Sequence, residues 1–234
     1  TVTETTKTGY TTTYRINGGA AVSGSSATVT PAAGQAVTIE FVNTAQDATI
    51  TVTKTLNGVE PDGDWQFNGT SPIGTFTLDK GGGSSSPYTV TPGQSYTVTE
   101  TTTTGYATAY KINGGESVSG SSATVTPAAG QAVTIEFVNT AQAATITVTK
   151  TVNGAAPETD WGFNGTSPIG AFSLDKGGGS SSPYTVTPGQ SYIVTETTKT
   201  GYTTTYSING GAAVSGNSAT VTPAAGEAVT IEFV

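Results

Sequence analysis

Lys54, Glu100 and Asn139 are three polar residues standing where the pattern calls for apolar ones. Side chains two apart on a strand share a face, so Ile50, Val52, Lys54 and Leu56 point one way while Thr51, Thr53 and Thr55 point the other. The same alternation groups Tyr96 and Val98 with Glu100, and Val133, Ile135 and Phe137 with Asn139. Glu136 supplies the contrast, because it falls on the face of Thr134 and Val138, from which it reaches water. Burying an isolated ammonium or carboxylate costs on the order of several kcal/mol, and the usual escape is neutralisation, the Lys pKa falling and the Glu pKa rising. A neutral lysine amine is a nucleophile. A protonated glutamate hydrogen-bonds an Asn amide oxygen, polarises its carbon and shuttles the proton that lets ammonia leave. The chemistry open to this set is a Lys to Asn isopeptide bond. Two plainer arrangements fit the same pattern. One is a buried Lys54–Glu100 ion pair with Asn139 hydrogen-bonded beside it; the other is a lysine whose head snorkels out at the strand end.

The segments that carry these residues recur. TVTETTKTGY at Thr1 returns as TVTETTTTGY at Thr97 and as IVTETTKTGY at Ile193, a shift of 96 residues each time. The shift carries Lys54 to Lys150, Trp65 to Trp161, Asn43 to Asn139, and Glu4 to Glu100 and Glu196. A period of that length is a domain rather than a solenoid coil. The chain therefore reads as residues 1–43, the C-terminal half of a repeat; residues 44–139, a complete repeat; and residues 140–234, a nearly complete one. Within a repeat, short alternating runs are separated by turn chemistry such as Asn113-Gly114-Gly115, Thr91-Pro92-Gly93 and the Gly81–Ser86 loop. About seven strands of this kind, with no helical periodicity, predict an all-β, Ig-like sandwich. Trp65 with Phe67, and Phe76 with Leu78, share faces that read as core.

Composition narrows the function. The 234 residues contain no Cys, His or Met, and 10% are charged, against about 25% in ordinary soluble domains. Thr, Ser and Gly keep the surface wet instead, and Thr favours strands. A net charge of -8 repels nucleic acid phosphates and anionic lipid head groups, so neither is an expected partner. No disulfide is open to the chain, and no apolar run approaches the roughly 20 residues of a membrane-spanning helix. Catalysis on an external substrate finds no His, no Cys and no Ser with a recognisable base. Glu60, Asp62 and Asp64 form an acidic loop, replaced by Ala156, Glu158 and Asp160 in the next copy, and neither has the spacing of a calcium loop. No metal and no cofactor are expected. Asn68 and Asn164 each open an Asn-Gly-Thr glycosylation sequon. Thr1 begins in mid-pattern, which leaves room for targeting and anchoring segments outside these residues.

At ITVTK, DWQFNG, FTLD, YTVTETTTTGY and IEFVNT the sequence resembles the CnaB-type, prealbumin-like domains of prokaryotic surface adhesins and pilin shafts, the SpaA type among them. The resemblance covers the whole repeat. It implies a bond from the first-strand Lys54 to the last-strand Asn139, promoted by Glu100. The neighbouring copies are cut: the first keeps Glu4 and Asn43, the last Lys150 and Glu196. The sequence departs from the family at Thr104, where a proline often precedes the Gly-Tyr pair. What the resemblance implies is a structural array, an extracellular stalk, fibre or filament at the cell surface and no enzyme. Its expected partners are neighbouring repeats or copies of the same chain, with a tip adhesin or surface ligand beyond them. The alternative is an adhesin whose repeats bind carbohydrate or host protein, multiplying weak contacts by avidity.

Overall fold

Thr, Val and Ile alternating with period two cannot make an amphipathic helix, and among the described residues every regular element is a strand. The structure is a computed structural model, and it describes residues 1–61, 63–79, 83–177 and 179–234. Asp62 of the acidic loop and Gly81 and Gly82 of the glycine loop lie outside the described residues. No helix occurs among the described residues. The chain divides into two compact units, one of Thr1–Thr102 with Thr108–Asn139, the other of Thr103–Ala107 with Thr140–Val234.

The first unit opens with β1 (Val2–Thr3), β2 (Tyr10–Ile16), β3 (Val22–Ser23), β4 (Ser26–Ala27) and β5 (Ile39–Ala45). β1 pairs with β4, and β3, β2 and β5 make a second small sheet. Then follow β6 (Ala48–Leu56), β7 (Trp65–Gly69), β8 (Gly74–Leu78), β9 (Tyr88–Val90), β10 (Tyr96–Glu100), β11 (Tyr106–Ile112), β12 (Val118–Ser119), β13 (Ser122–Val125) and β14 (Ala132–Ala141). These nine build two sheets, β13-β10-β7-β8 and β12-β11-β14-β6-β9. Seven of them are four residues or longer. β9 and β12 are shorter edge pieces, too brief for alternation to reveal in sequence.

The second unit repeats the plan with β15 (Ala144–Lys150), β16 (Trp161–Gly165), β17 (Gly170–Leu174), β18 (Tyr184–Val186), β19 (Tyr192–Glu196), β20 (Thr205–Ile208), β21 (Val214–Ser215), β22 (Ser218–Val221) and β23 (Ala228–Phe233). Its sheets are β18-β15-β23-β20-β21 and β17-β16-β19-β22. The architecture is a tandem of Ig-like, prealbumin-like sandwiches.

Two features position the polar cluster. The first and last strands, β6 and β14, run parallel and adjacent, with Lys54 opposite Phe137 and Leu56 opposite Asn139. β10 belongs to the other sheet, where Glu100 stands opposite Phe67 of β7. Lys54 and Asn139 thus enter the core from one sheet and Glu100 from the other. Between them lie Ile50, Val52, Phe67, Val98, Ile135 and Phe137, all buried. The Phe137 ring packs against Phe67 at 5.4 Å between centroids and Tyr110 at 6.2 Å. On the outer face of β10 and β13, hydroxyls pair across the strands: Ser95 with Thr126 at 2.8 Å, Thr97 with Thr124 at 2.8 Å and Thr99 with Ser122 at 2.9 Å. These pairs let a nearly uncharged surface stay hydrated. The Asn113-Gly114 turn takes positive φ at both residues, 51° and 69°, the demand that selects Asn-Gly in tight hairpins.

Candidate functional site: a buried Lys, Glu and Asn cluster

Each residue of the cluster is fixed by the strand that carries it. On β6, burial alternates without a break from Ala48 to Leu56, and Lys54 is 1% exposed. Glu100 ends the buried face of β10, and Asn139 continues that of β14 beyond Phe137. They are 1% and 0% exposed. The Lys54 Nζ lies 3.7 Å from Glu100 Oε1 and donates to the Thr55 carbonyl at 2.7 Å. The Asn139 Nδ2 donates to the same Glu100 Oε1 at 2.6 Å. Glu100 Oε2 and Asn139 Oδ1 accept no hydrogen bond.

Burial dominates the electrostatics. It pulls Lys54 from 10.5 down to about 8, the Glu100 charge opposing the shift. It also raises Glu100 above 4.5, against the attraction of Lys54 and the hydrogen bond from Asn139. Both shifts move the pair toward its neutral form. The Glu100 carboxyl group is thus the shared neighbour of the Lys54 amine and the Asn139 amide.

Trp65 completes the site, and alternation alone reads it as packing. The Lys54 Nζ sits over its ring, 4.5 Å from the centroid. Finding that from sequence would require the pairing of β7 with β10, which brings the aromatic end of one strand beside the carboxylate end of the other. Glu136, on the opposite face of β14, forms a part-exposed ion pair with Lys111 at 3.4 Å.

The other copies hold partial sets. Lys150 and Glu196 are buried, with Nζ 3.2 Å from Oε2, and the Lys150 Nζ lies 4.2 Å from the Trp161 ring. Lys199 covers that ring too, at 4.4 Å. In the first copy Asn43 donates to Glu4 and accepts from the Thr12 hydroxyl at 2.6 Å. Asn43 is exposed and Glu4 half-buried. Asn68 and Asn164 sit exposed within β7 and β16. Among the described residues no group of His, Cys, Asp or Glu is arranged to hold a metal ion, and no helix is long and apolar enough to cross a membrane.

Residues 50–142 match a family described as a domain of unknown function (DUF5979), a span that contains Lys54, Glu100 and Asn139. No curated protein matches the chain. Among solved structures the chain is similar to the TIE protein of Bacillus anthracis, with 14% identity, 85% of this chain and 37% of that one covered, and a TM-score of 0.48. It is also similar to the major pilin from Streptococcus pyogenes, with 19% identity, coverages of 81% and 98%, and a TM-score of 0.35. A third is the shaft pilin of Lactobacillus rhamnosus GG, with 12% identity, coverages of 81% and 98%, and a TM-score of 0.25. The chain spans a little over a third of the TIE protein, 37%.

Proposed function

We propose that this chain is part of an extracellular structural array, a surface stalk or pilus-like fibre whose repeats close themselves with Lys to Asn isopeptide bonds. The convergence of Lys54, Glu100 and Asn139 in a site sealed from water carries the reading. The repeats are residues 44–139, residues 140–234 and the half at 1–43. The partners are neighbouring repeats or further copies of the chain, and the chain acts on no substrate but itself.

Rotation of the Asn139 amide about its last bond turns Oδ1 toward Glu100, whose protonated carboxyl donates to it and polarises the carbon. The neutral Lys54 amine then attacks that carbon, forming the new C–N bond. Glu100 then passes a proton from the lysine nitrogen to the departing amide nitrogen, and the old C–N bond breaks with release of one ammonia. Nothing is oxidised or reduced, and Glu100 ends as it began.

The bond suits a spacer because it joins the strands at which a repeat begins and ends. β6 and β14 are parallel neighbours, so a pull on the two ends loads their ladder in shear, and a covalent tie across it carries the force past both sheets. Closing a loop of nearly a whole repeat is worth about 4 to 5 kcal/mol in the chain-entropy model. The test is the intact mass of the folded chain, which falls short of the sequence mass by one ammonia. The full sequence mass would withdraw the reading.

A further inference from the structure

Gly9 holds φ at +82° in the Thr-Gly-Tyr turn before β2, and it is pressed against the Ala129-Gly130 turn before β14. A methyl group on Gly9 would be driven into the Ala129 carbonyl, and one on Gly130 would stand 2.9 Å from the Gly9 Cα. Gln46, in the short link between β5 and β6, ties the two turns through its backbone. Its N–H donates to the Gly9 carbonyl at 2.8 Å, and its carbonyl accepts from the Gly130 N–H at 3.0 Å. All four residues belong to the first compact unit.

The second unit contains the same arrangement made by its own residues. Gln142 donates to Gly105 at 2.8 Å and accepts from Gly226 at 2.9 Å. A methyl on Gly226 would stand 3.0 Å from the Gly105 Cα, and Gly105 holds φ at +85°. The turn occurs a third time at Gly201, with φ at +89°, and there a side chain would meet nothing within 4 Å.

We propose that the Thr-Gly-Tyr turn of each repeat is a socket for the Ala-Ala-Gly turn of a second copy of the repeat, clasped by the intervening Gln. The inference rests on the reading of the chain as a repeat array and adds what joins its copies. The occupant follows from the contact itself: it is backbone against backbone, uncharged, and so close that a glycine is needed on each side. No larger or charged ligand fits such a surface, and an Ala-Ala-Gly turn already occupies it twice.

The test is amide hydrogen exchange on the full chain, comparing wild type with Gly9→Ala, Gly105→Ala and Gly201→Ala. All three place a side chain at positive φ and share that backbone strain; only the first two meet a neighbour. The Gln46 and Gln142 amides are expected to be protected in wild type. Gly9→Ala should speed exchange at Gln46 by about tenfold or more while leaving Gln142 unchanged, Gly105→Ala should do the reverse, and Gly201→Ala should do neither. Protection at Val98 and Ile135 reports that the sandwich is intact, and Gly130→Ala attacks the same contact from the other side. Unprotected Gln46 and Gln142 in wild type would overturn the socket, as would an equal response to Gly201→Ala. A chain that has lost ammonia but leaves Gln46 unprotected would keep the proposed function and discard the socket. A protected Gln46 in a chain of full mass would do the opposite.

Discussion

Lys54 stands opposite Phe137 in the parallel pair of β6 and β14, and Asn139 lies one step further along the same buried face. A slip of one residue in that register would turn Asn139 out and bring in Val138, because successive side chains point to opposite faces. The position of the amide is therefore as secure as the phenylalanine beside it, which is fully buried among aromatic rings.

Replacing Glu100 with Ala should restore the full sequence mass, and digestion with trypsin should no longer give the branched peptide joining Lys54 to Asn139. The domain should still fold on its apolar faces but lose about 4 to 5 kcal/mol of stability with the tie. Heat denaturation of wild type and variant measures this. A variant that keeps the ammonia loss would remove Glu100 from the chemistry.

In Asn139→Ala, which cannot form the bond, stability should follow the two shifted groups. Between about 8 and 10.5 the unfolded chain keeps the Lys54 proton that the folded chain has released, so stability rises with pH through that window. Just above 4.5 the folded chain holds the Glu100 proton that the unfolded chain has lost, so there stability falls as pH rises. Denaturant melts from pH 4 to 11 should show both limbs. In wild type the proposed bond would convert Lys54 to an amide, and the alkaline rise should vanish.

Trp65→Ala should slow bond formation. The ring does two opposing things to Lys54: it excludes water, which lowers the pKa, and its face favours the cation, which raises it. A cation–π contact is worth about 0.5 to 2 kcal/mol, and desolvation is the larger influence at this lysine. The net result of removing the ring should be a higher pKa, each unit costing about tenfold in neutral amine at pH 7. Following the mass after refolding measures the rate, and an unchanged rate would reduce Trp65 to packing.

Glu136→Ala is the expected silent change. Its ion pair with Lys111 is part-exposed, at 3.4 Å, and such pairs contribute about 0 to 1 kcal/mol. The ammonia loss should be complete and stability nearly unchanged. A large loss of stability would mean that this ion pair matters more than its exposure suggests.

Alternation made the faces legible, and with them the burial of Lys54, Glu100 and Asn139, because period two assigns a side without knowledge of any partner. It says nothing of which strand pairs with which. The aromatic lid at Trp65 depends on β7 lying beside β10, and the hydroxyl pairs such as Thr97 with Thr124 depend on β10 lying beside β13. β12 has only two residues, Val118–Ser119, and carries no period at all. The contact of Gly9 with Ala129 leaves no trace in hydropathy, since it is made by small residues that read only as turns. Its one sequence signal is that Thr-Gly-Tyr and Ala-Ala-Gly return together with the 96-residue shift.

The pairing of the first strand with the last also sets a timetable. Contacts between residues far apart in sequence form late, because the intervening loop must close before they reward it, and a chain leaves the ribosome N-terminus first. β6 can pair early with β9 on one side, but its other side waits until β14 has been made. A chain interrupted at any residue before Asn139 leaves that sandwich unfinished, whatever else it has already built. On the proposed reading of the chain as a repeat array, maturation would proceed copy by copy in the order of synthesis, with the whole repeat as its unit of growth.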